Sequence, residues 1–407
     1  MKLGSIQVLR ALAALIVVVY HTRAIEGLMI DGQGSGEATL VAGLWTKGFA
    51  GVDLFFVISG FIMVYVTGRA RSGVTTATAF LFSRASRIYP LWWLFASVMA
   101  VYFWVAYGVP YDVQRTLGAG MIEQTPILHL VFSYLLLPQP NWPVLGVGWT
   151  LIHEMYFYLG FSLLLLAPWR WRGWLIGLWG AGVIAGSLAG LSAPFAGNFV
   201  ELVFYPMTLE FVLGAFVAML VVNGYIFRPA LVSALGALLF IAAMIFHPDP
   251  ELRPQDGLMS TLQWGRVIWF GIPAAILLYG LAALDIRGRF RSPRFLVSIG
   301  DWSYALYLSH MLVLSALKRI FPFAADIAEY RLGIPAPVAD LLRVGTPGIA
   351  DNLLFALTGI VASVIVAWLS YRFFEQPVLR AFGRIRARLF DTRKLGLHPA
   401  PIRAAVW

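Results

Sequence analysis

Arg10 and His21 stand eleven residues apart in the apolar run MKLGSIQVLRALAALIVVVYHTRAI. On a helix, eleven steps of 100° return to within about 20° of the starting direction, roughly 16 Å further along the axis. One helix therefore carries a fixed cation toward one membrane surface and a titratable imidazole toward the other. A guanidinium suits recognition of phosphate or carboxylate, and an imidazole titrating near neutrality suits general-base chemistry. Charged and titratable groups are expensive in hydrocarbon and by default suggest a site. The competing reading is that Arg10 snorkels to the headgroups and His21 sits at the opposite interface, each for solubility.

Further groups of the same kind recur along the chain. GVDLFFVISGF (51–61) places Asp53 at a depth comparable to His21, where a carboxylate either orients and stabilises an imidazolium or caps a helix N-terminus. SRASRIYP (83–90) spaces Arg84 and Arg87 three apart, on one helix face, as a phosphate clamp or as arginines flanking a span. GWTLIHEMYFY (148–158) puts Glu154 about two turns inside a span, where a carboxylate needs a proton, a cation or water. His153 points about 100° away from it, and no second histidine completes a zinc-protease motif, so no metal is assigned. Glu210 in TLEFVLG and His310 in SYALYLSH are intramembrane polar groups that must find partners, with a structural hydrogen bond favoured for His310. Ser59, Ser303 and Ser309 read as helix-packing residues. His129, His247 and His398 carry no readable signal.

The elements that position these groups follow from composition. The 407 residues are 60% hydrophobic and 12% charged, far too apolar for a soluble globule of this length. Ten apolar runs, at approximately 5–23, 50–67, 89–107, 147–167, 174–191, 203–222, 230–246, 267–284, 298–317 and 352–374, predict an all-α polytopic membrane protein. Pro126–Pro138 is apolar but short, which suits a re-entrant or interfacial segment. Most of the thirty Lys and Arg fall in one set of alternate connections and in the tail, which predicts both termini in the cytoplasm. With no small-residue cleavage site after the first run, that run is expected to stay as an uncleaved span. The net charge of +10 then reflects orientation in the bilayer rather than nucleic-acid binding. The chain has no cysteine, so disulfides, thiolate metal sites and a cysteinyl acyl-enzyme are excluded. The expected organisation is a transmembrane unit over 1–380 and a basic tail over 381–407.

Taken together, the Arg10 to His21 spacing, GVDLFFVISGF, SRASRIYP, WTLIHEMYFY, SYALYLSH and FFEQP resemble the acyltransferase 3 family of integral membrane acyltransferases, in particular its exopolysaccharide-acetylating members. The resemblance runs from residue 5 to about 380. It implies ten membrane helices in an inner (plasma) membrane, an acyl-CoA donor such as acetyl-CoA used from the cytoplasm, and O-acylation of a carbohydrate or lipid-linked glycan. It also implies that Arg10 and His21 are the family's essential pair, Arg84 and Arg87 its basic pair, and Glu154 its fourth-span glutamate. The extracellular esterase-like domain of some relatives has no counterpart here, so a second transfer step on such a domain is not expected of this chain. On this expectation, His21 serves as general base or transient acyl carrier, Asp53 or Glu154 orients it, and Arg10, Arg84 and Arg87 hold the CoA phosphates. The alternative is a secondary transporter or flippase for a sugar or lipid-linked glycan, with Glu154, Glu210 and His310 as a proton relay.

Overall fold

Long apolar runs must fold as helices in a bilayer, because hydrocarbon offers no partner for open backbone. Each of the ten predicted runs lies on helix in the computed structural model. The structure describes residues 3–29, 47–68, 70–110, 125–193, 197–247, 262–344, 349–391 and 395–397. Outside them fall Lys2, Arg69, His398, the tail residues Arg393, Lys394 and Arg403, and much of the four longest connections.

In chain order the helices are α1 (Gly4–Met29), α2 (Ala50–Thr67), α3 (Val74–Tyr107), α4 (Pro126–Leu135), α5 (Trp149–Leu164), α6 (Trp169–Leu188), α7 (Phe199–Val203), α8 (Thr208–Val222), α9 (Pro229–Phe246), α10 (Leu262–Arg266), α11 (Ile272–Ile286), α12 (Arg294–Asp326), α13 (Ala336–Ala339), α14 (Ile349–Ser370) and α15 (Gln376–Leu389). Wider π turns join α10 to α11 at Val267–Gly271 and α14 to α15 at Tyr371–Glu375. The described residues contain no strand. Among the described residues, seven stretches are long and apolar enough to cross a membrane: Gly4–Glu26, Ala50–Thr67, Val74–Tyr107, Phe199–Val222, Pro229–Phe246, Trp264–Ile286 and Leu353–Leu389. The three remaining runs lie on α5, which has 16 residues, on α6 and on α12. The protein is an all-α polytopic membrane protein.

The third run starts earlier than its hydropathy suggests. Helix α3 begins at Val74 rather than near residue 89, so Arg84 and Arg87 lie inside a 34-residue helix. Polar Ser83, Arg84, Ser86 and Arg87 depress the hydropathy there, although the helix continues through them. The short Pro126–Pro138 segment forms α4, capped by Thr125 and ended by Leu136 in a left-handed conformation. It is fastened to α3 by Trp92 Nε1 donating to Ser133 O at 3.0 Å and Trp93 Nε1 donating to Tyr134 O at 3.0 Å.

Helices α1, α2, α8 and α12 form the centre of the bundle, with Val17, Val18, Val57, Phe61, Phe211, Ala215 and Leu308 buried in one apolar cluster. Without a hydrophobic driving force between spans, close backbone approach supplies the cohesion. Gly60 and Gly214 meet reciprocally. A Cβ on Gly60 would lie 2.0 Å from Phe211 O, and one on Gly214 would lie 1.9 Å from Val57 O. Arg172, which reads in the sequence as a topology arginine, is instead buried. Its guanidinium donates to Ala167 O at 3.1 Å, Thr67 O at 3.2 Å and Ala70 O at 3.1 Å, tying the end of α2 to the start of α6.

Gly214→Val should therefore force α2 and α8 apart and destabilise the bundle by about 1–3 kcal/mol. Gly182→Ala, with nothing within 4 Å of the new methyl, serves as control and should be neutral or slightly stabilising. Thermal unfolding in detergent compares the two, and equal midpoints would refute the close-contact account.

Candidate active site

A cavity of about 440 Å³ opens among α1, α2, α3, α5 and α12, a volume in the range of small-molecule sites. Its lining includes Arg10, Arg84, Arg87, Glu154, Ser59, Tyr158, Ser303, Tyr304 and Tyr307 among apolar side chains such as Phe55, Ile62 and Met63. Four of the six residues expected to act in the site thus line one space. Arg10 arrives from α1, the arginine pair from one face of α3, and Glu154 from α5.

The charges in this cavity do not cancel by direct contact. Among the described residues, none of Arg10, Arg84 and Arg87 is ion-paired to a carboxylate. Arg10 Nε donates to Ser303 Oγ at 3.1 Å. The Arg84 guanidinium lies over the rings of Phe80 and Tyr158, 5.6 and 6.0 Å from their centroids. Glu154 is held by Ser59, whose hydroxyl donates to Oε1 at 3.0 Å, and by the hydroxyl of Tyr158 one turn on. Glu375, buried on the π turn before α15, adds a second carboxylate acting on Arg87 and Arg10 through space. Three guanidiniums with unfilled donor capacity around one cavity have the chemistry to take an anion.

His21 lies elsewhere. The cavity is lined at its α12 side by Tyr307, whose hydroxyl donates to Val147 O at 3.1 Å and shares a 2.9 Å bond with Thr150, while Phe55 packs against its ring at 6.0 Å. One turn further along α12 stands His310, its ring centroid 5.9 Å from that of Tyr307. His310 Nε2 is 3.1 Å from His21 Nδ1, and the two rings are 4.9 Å apart. His21 Nδ1 also faces Val17 O at 3.0 Å. His310 is fully buried and His21 partly so.

Neither carboxylate expected to orient His21 does so. Asp53 sits in the first turn of α2 without capping it. Its carboxylate instead grips Arg266 at the end of α10, at 2.7 Å from Nη2 and 3.1 Å from Nε, in a fork that suits the planar guanidinium. Arg266 is stacked over Phe49 and Trp149, 5.0 and 5.7 Å from the ring centroids. Buried Glu210 on α8 shares this cationic neighbour. Glu154 is committed to Ser59 and Tyr158 in the cavity. His153 is core, bonded through Nδ1 to Trp149 O at 2.9 Å and packed against Phe56 and Tyr205. No cluster of three or more His, Cys, Asp or Glu able to hold a metal occurs among the described residues.

The acyltransferase domain family matches residues 3–372. The chain belongs to the acyltransferase 3 family. This acyltransferase is 31% identical over 355 residues to the exopolysaccharide production protein ExoZ of Rhizobium meliloti, covering 84% of this chain and 92% of that protein. It is 28% identical over 408 residues to the acyltransferase MdmB of Streptomyces mycarofaciens, covering 95% and 94% of the two chains. A 120-residue stretch is 36% identical to protein 2 in the picA locus of Rhizobium radiobacter, covering 26% of this chain and 61% of that one. No solved structure matches.

Sequence reasoning missed two partners. Arg266 stands 213 residues from Asp53 and His310 stands 289 from His21, and only the general expectation of a partner for each intramembrane polar group pointed their way. Asp53→Asn should take from Arg266 the carboxylate it is bonded to and cost about 3–5 kcal/mol of stability. Asp53→Leu combined with Arg266→Met should restore most of it. Thermal unfolding of the three variants tests this, and an unchanged midpoint in Asp53→Asn would rule the ion pair out as a structural element.

Proposed function

We propose that this acyltransferase moves an acyl group, acetyl in the first instance, from acyl-CoA to a hydroxyl of an exported or cell-surface carbohydrate or lipid-linked glycan. The observation that carries the donor assignment is the cavity with three arginines and no ion-paired carboxylate among the described residues. A nucleotide diphosphate with a further phosphate supplies the anionic charge that Arg10, Arg84 and Arg87 can take. The apolar remainder of the lining, with Phe55, Ile62 and Met63, suits an uncharged pantetheine arm. The carbohydrate acceptor is proposed from the likeness to a protein of exopolysaccharide production. The setting is the inner (plasma) membrane, with the arginine end of α1 toward the cytoplasm, where acyl-CoA is made.

The chemistry follows from the imidazole. A carbonyl oxygen can only accept, so His21 Nδ1, facing Val17 O, carries the proton and the lone pair lies on Nε2. Nε2 takes the proton of the acceptor hydroxyl as the hydroxyl oxygen bonds to the thioester carbon. The carbon–sulfur bond breaks, and the same proton passes from His21 to the departing thiolate. An acyl-imidazole relay would use the same nitrogen as nucleophile. On this reading the donor's thioester approaches His21 past Tyr307, which lines the cavity and packs against His310 with ring centroids 5.9 Å apart.

Binding of acetyl-CoA to the purified protein, with CoA release followed in the same samples, tests this. Arg84→Ala should lose a charge-assisted contact worth about 1.5–3 kcal/mol, roughly ten- to a hundredfold in affinity. His21→Ala should bind the donor like the wild type and turn over about 10²–10⁴-fold more slowly. A folded wild type that binds no acyl-CoA, yet takes up sugar in liposomes without it, would replace acyl transfer with transport.

A further inference from the structure

Two imidazoles meet 3.1 Å apart, one from each of two helices packed along their length. The contact of the other nitrogen of His310 decides which way the hydrogen bond runs. His310 Nδ1 lies 3.2 Å from Leu306 O, one turn back on α12. That oxygen can only accept, so His310 carries its proton on Nδ1 and offers a lone pair on Nε2. Val17 O, 3.0 Å from His21 Nδ1, agrees with a proton on that same nitrogen. A single arrangement of two neutral rings fits both: His21 Nδ1–H donates to His310 Nε2. The Val17 carbonyl is shared with the helix's own backbone bond, which runs from the N–H of residue 21 to the C=O of residue 17. His310 Nε2 is therefore a side-chain acceptor for the His21 Nδ1–H, which it shares with Val17 O.

We propose that His310 is a positioning residue for His21, holding its Nδ1–H so that Nε2 faces the reacting groups and accepting a stronger hydrogen bond when His21 becomes an imidazolium. The proposal rests on His21 being the base of acyl transfer. In the step described above, the acceptor proton arrives at His21 Nε2, the positive charge spreads to Nδ1–H, and His310 Nε2 accepts from it. His310 stays neutral and the proton leaves by Nε2 to the thiolate. A neutral imidazole thus fills the place in which a carboxylate more often supports a catalytic histidine. In the wholly buried surroundings of His310, it does so without adding a second formal charge that would itself need a counter-ion.

Three measurements on the full-length protein in detergent or nanodiscs test this. In histidine-¹⁵N-labelled wild type, His21 should show the Nδ1–H tautomer and a through-hydrogen-bond ¹⁵N coupling to His310, assigned by its loss in His310→Gln. His310→Leu should keep acetyl-CoA KM and binding while kcat falls about 10²–10⁴-fold, the range for losing base catalysis. His310→Gln, whose amide oxygen can accept in place of the imidazole, should stay within about tenfold of wild type, the range of one neutral hydrogen bond. A purely structural role predicts the reverse order, because leucine fills a buried apolar site better than glutamine. Absence of the coupling in folded wild type, wild-type kcat in His310→Leu, or a glutamine variant as slow as the leucine variant would overturn the proposal. If His310→Leu does not fold, the coupling and the glutamine variant decide. If wild type releases no CoA from acyl-CoA, acyl transfer itself fails, and the coupling still reports whether His310 holds His21.

Discussion

A guanidinium inside a hydrocarbon layer demands a counter-charge, a set of hydrogen-bond acceptors or access to water, and the bundle answers that demand in distinct ways. Arg266 receives a forked carboxylate from Asp53 and aromatic faces from Phe49 and Trp149. Arg172 is satisfied by three backbone carbonyls at helix ends. Arg10, Arg84 and Arg87 receive a serine hydroxyl, aromatic rings and distant carboxylates, but no direct ion pair among the described residues. The first two arrangements consume the charge in holding helices together. The third leaves it turned toward a space.

Much of this organisation is legible in the sequence, and the parts that are not share a cause. Helix class, and the placing of each apolar run on helix, follow from hydropathy, because the bilayer permits little else. The arginine pair at 84 and 87 shares a face by helical spacing, and Arg10 and Glu154 each violate the apolar pattern strongly enough to be noticed. What a single sequence withholds is which distant helix lies opposite. Asp53 and His21 occupy comparable depths on successive spans, which makes a pairing between them reasonable, yet α10 and α12 deliver better-placed partners. The start of α3 was obscured for a related reason: hydropathy treats Arg84 and Arg87 as an interruption, whereas the cavity accommodates them within one helix.

On the proposed reading the labour of acyl transfer would be divided along α1, with anion recognition around Arg10 and the histidine pair some three turns further on. Tyr307 belongs to both regions, lining the cavity while packing one turn from His310. The motif SYALYLSH on α12 therefore supplies, in eight residues, a partner for Arg10 in Ser303, two cavity-lining tyrosines and the imidazole that meets His21.

The π turn at Val267–Gly271 carries a consequence for how such a chain can vary. A π turn holds an extra residue within a helix and offsets everything beyond it by about 100°. Arg266 precedes this turn and Gly271, its last residue, lies against Glu210. Loss of one residue here would restore regular helical winding while rotating α11 relative to Arg266, so that either the Asp53 ion pair or the contact of α11 with α9 would be out of register. A single-codon deletion between 267 and 271 would thus be far harder to inherit than one in a connecting loop.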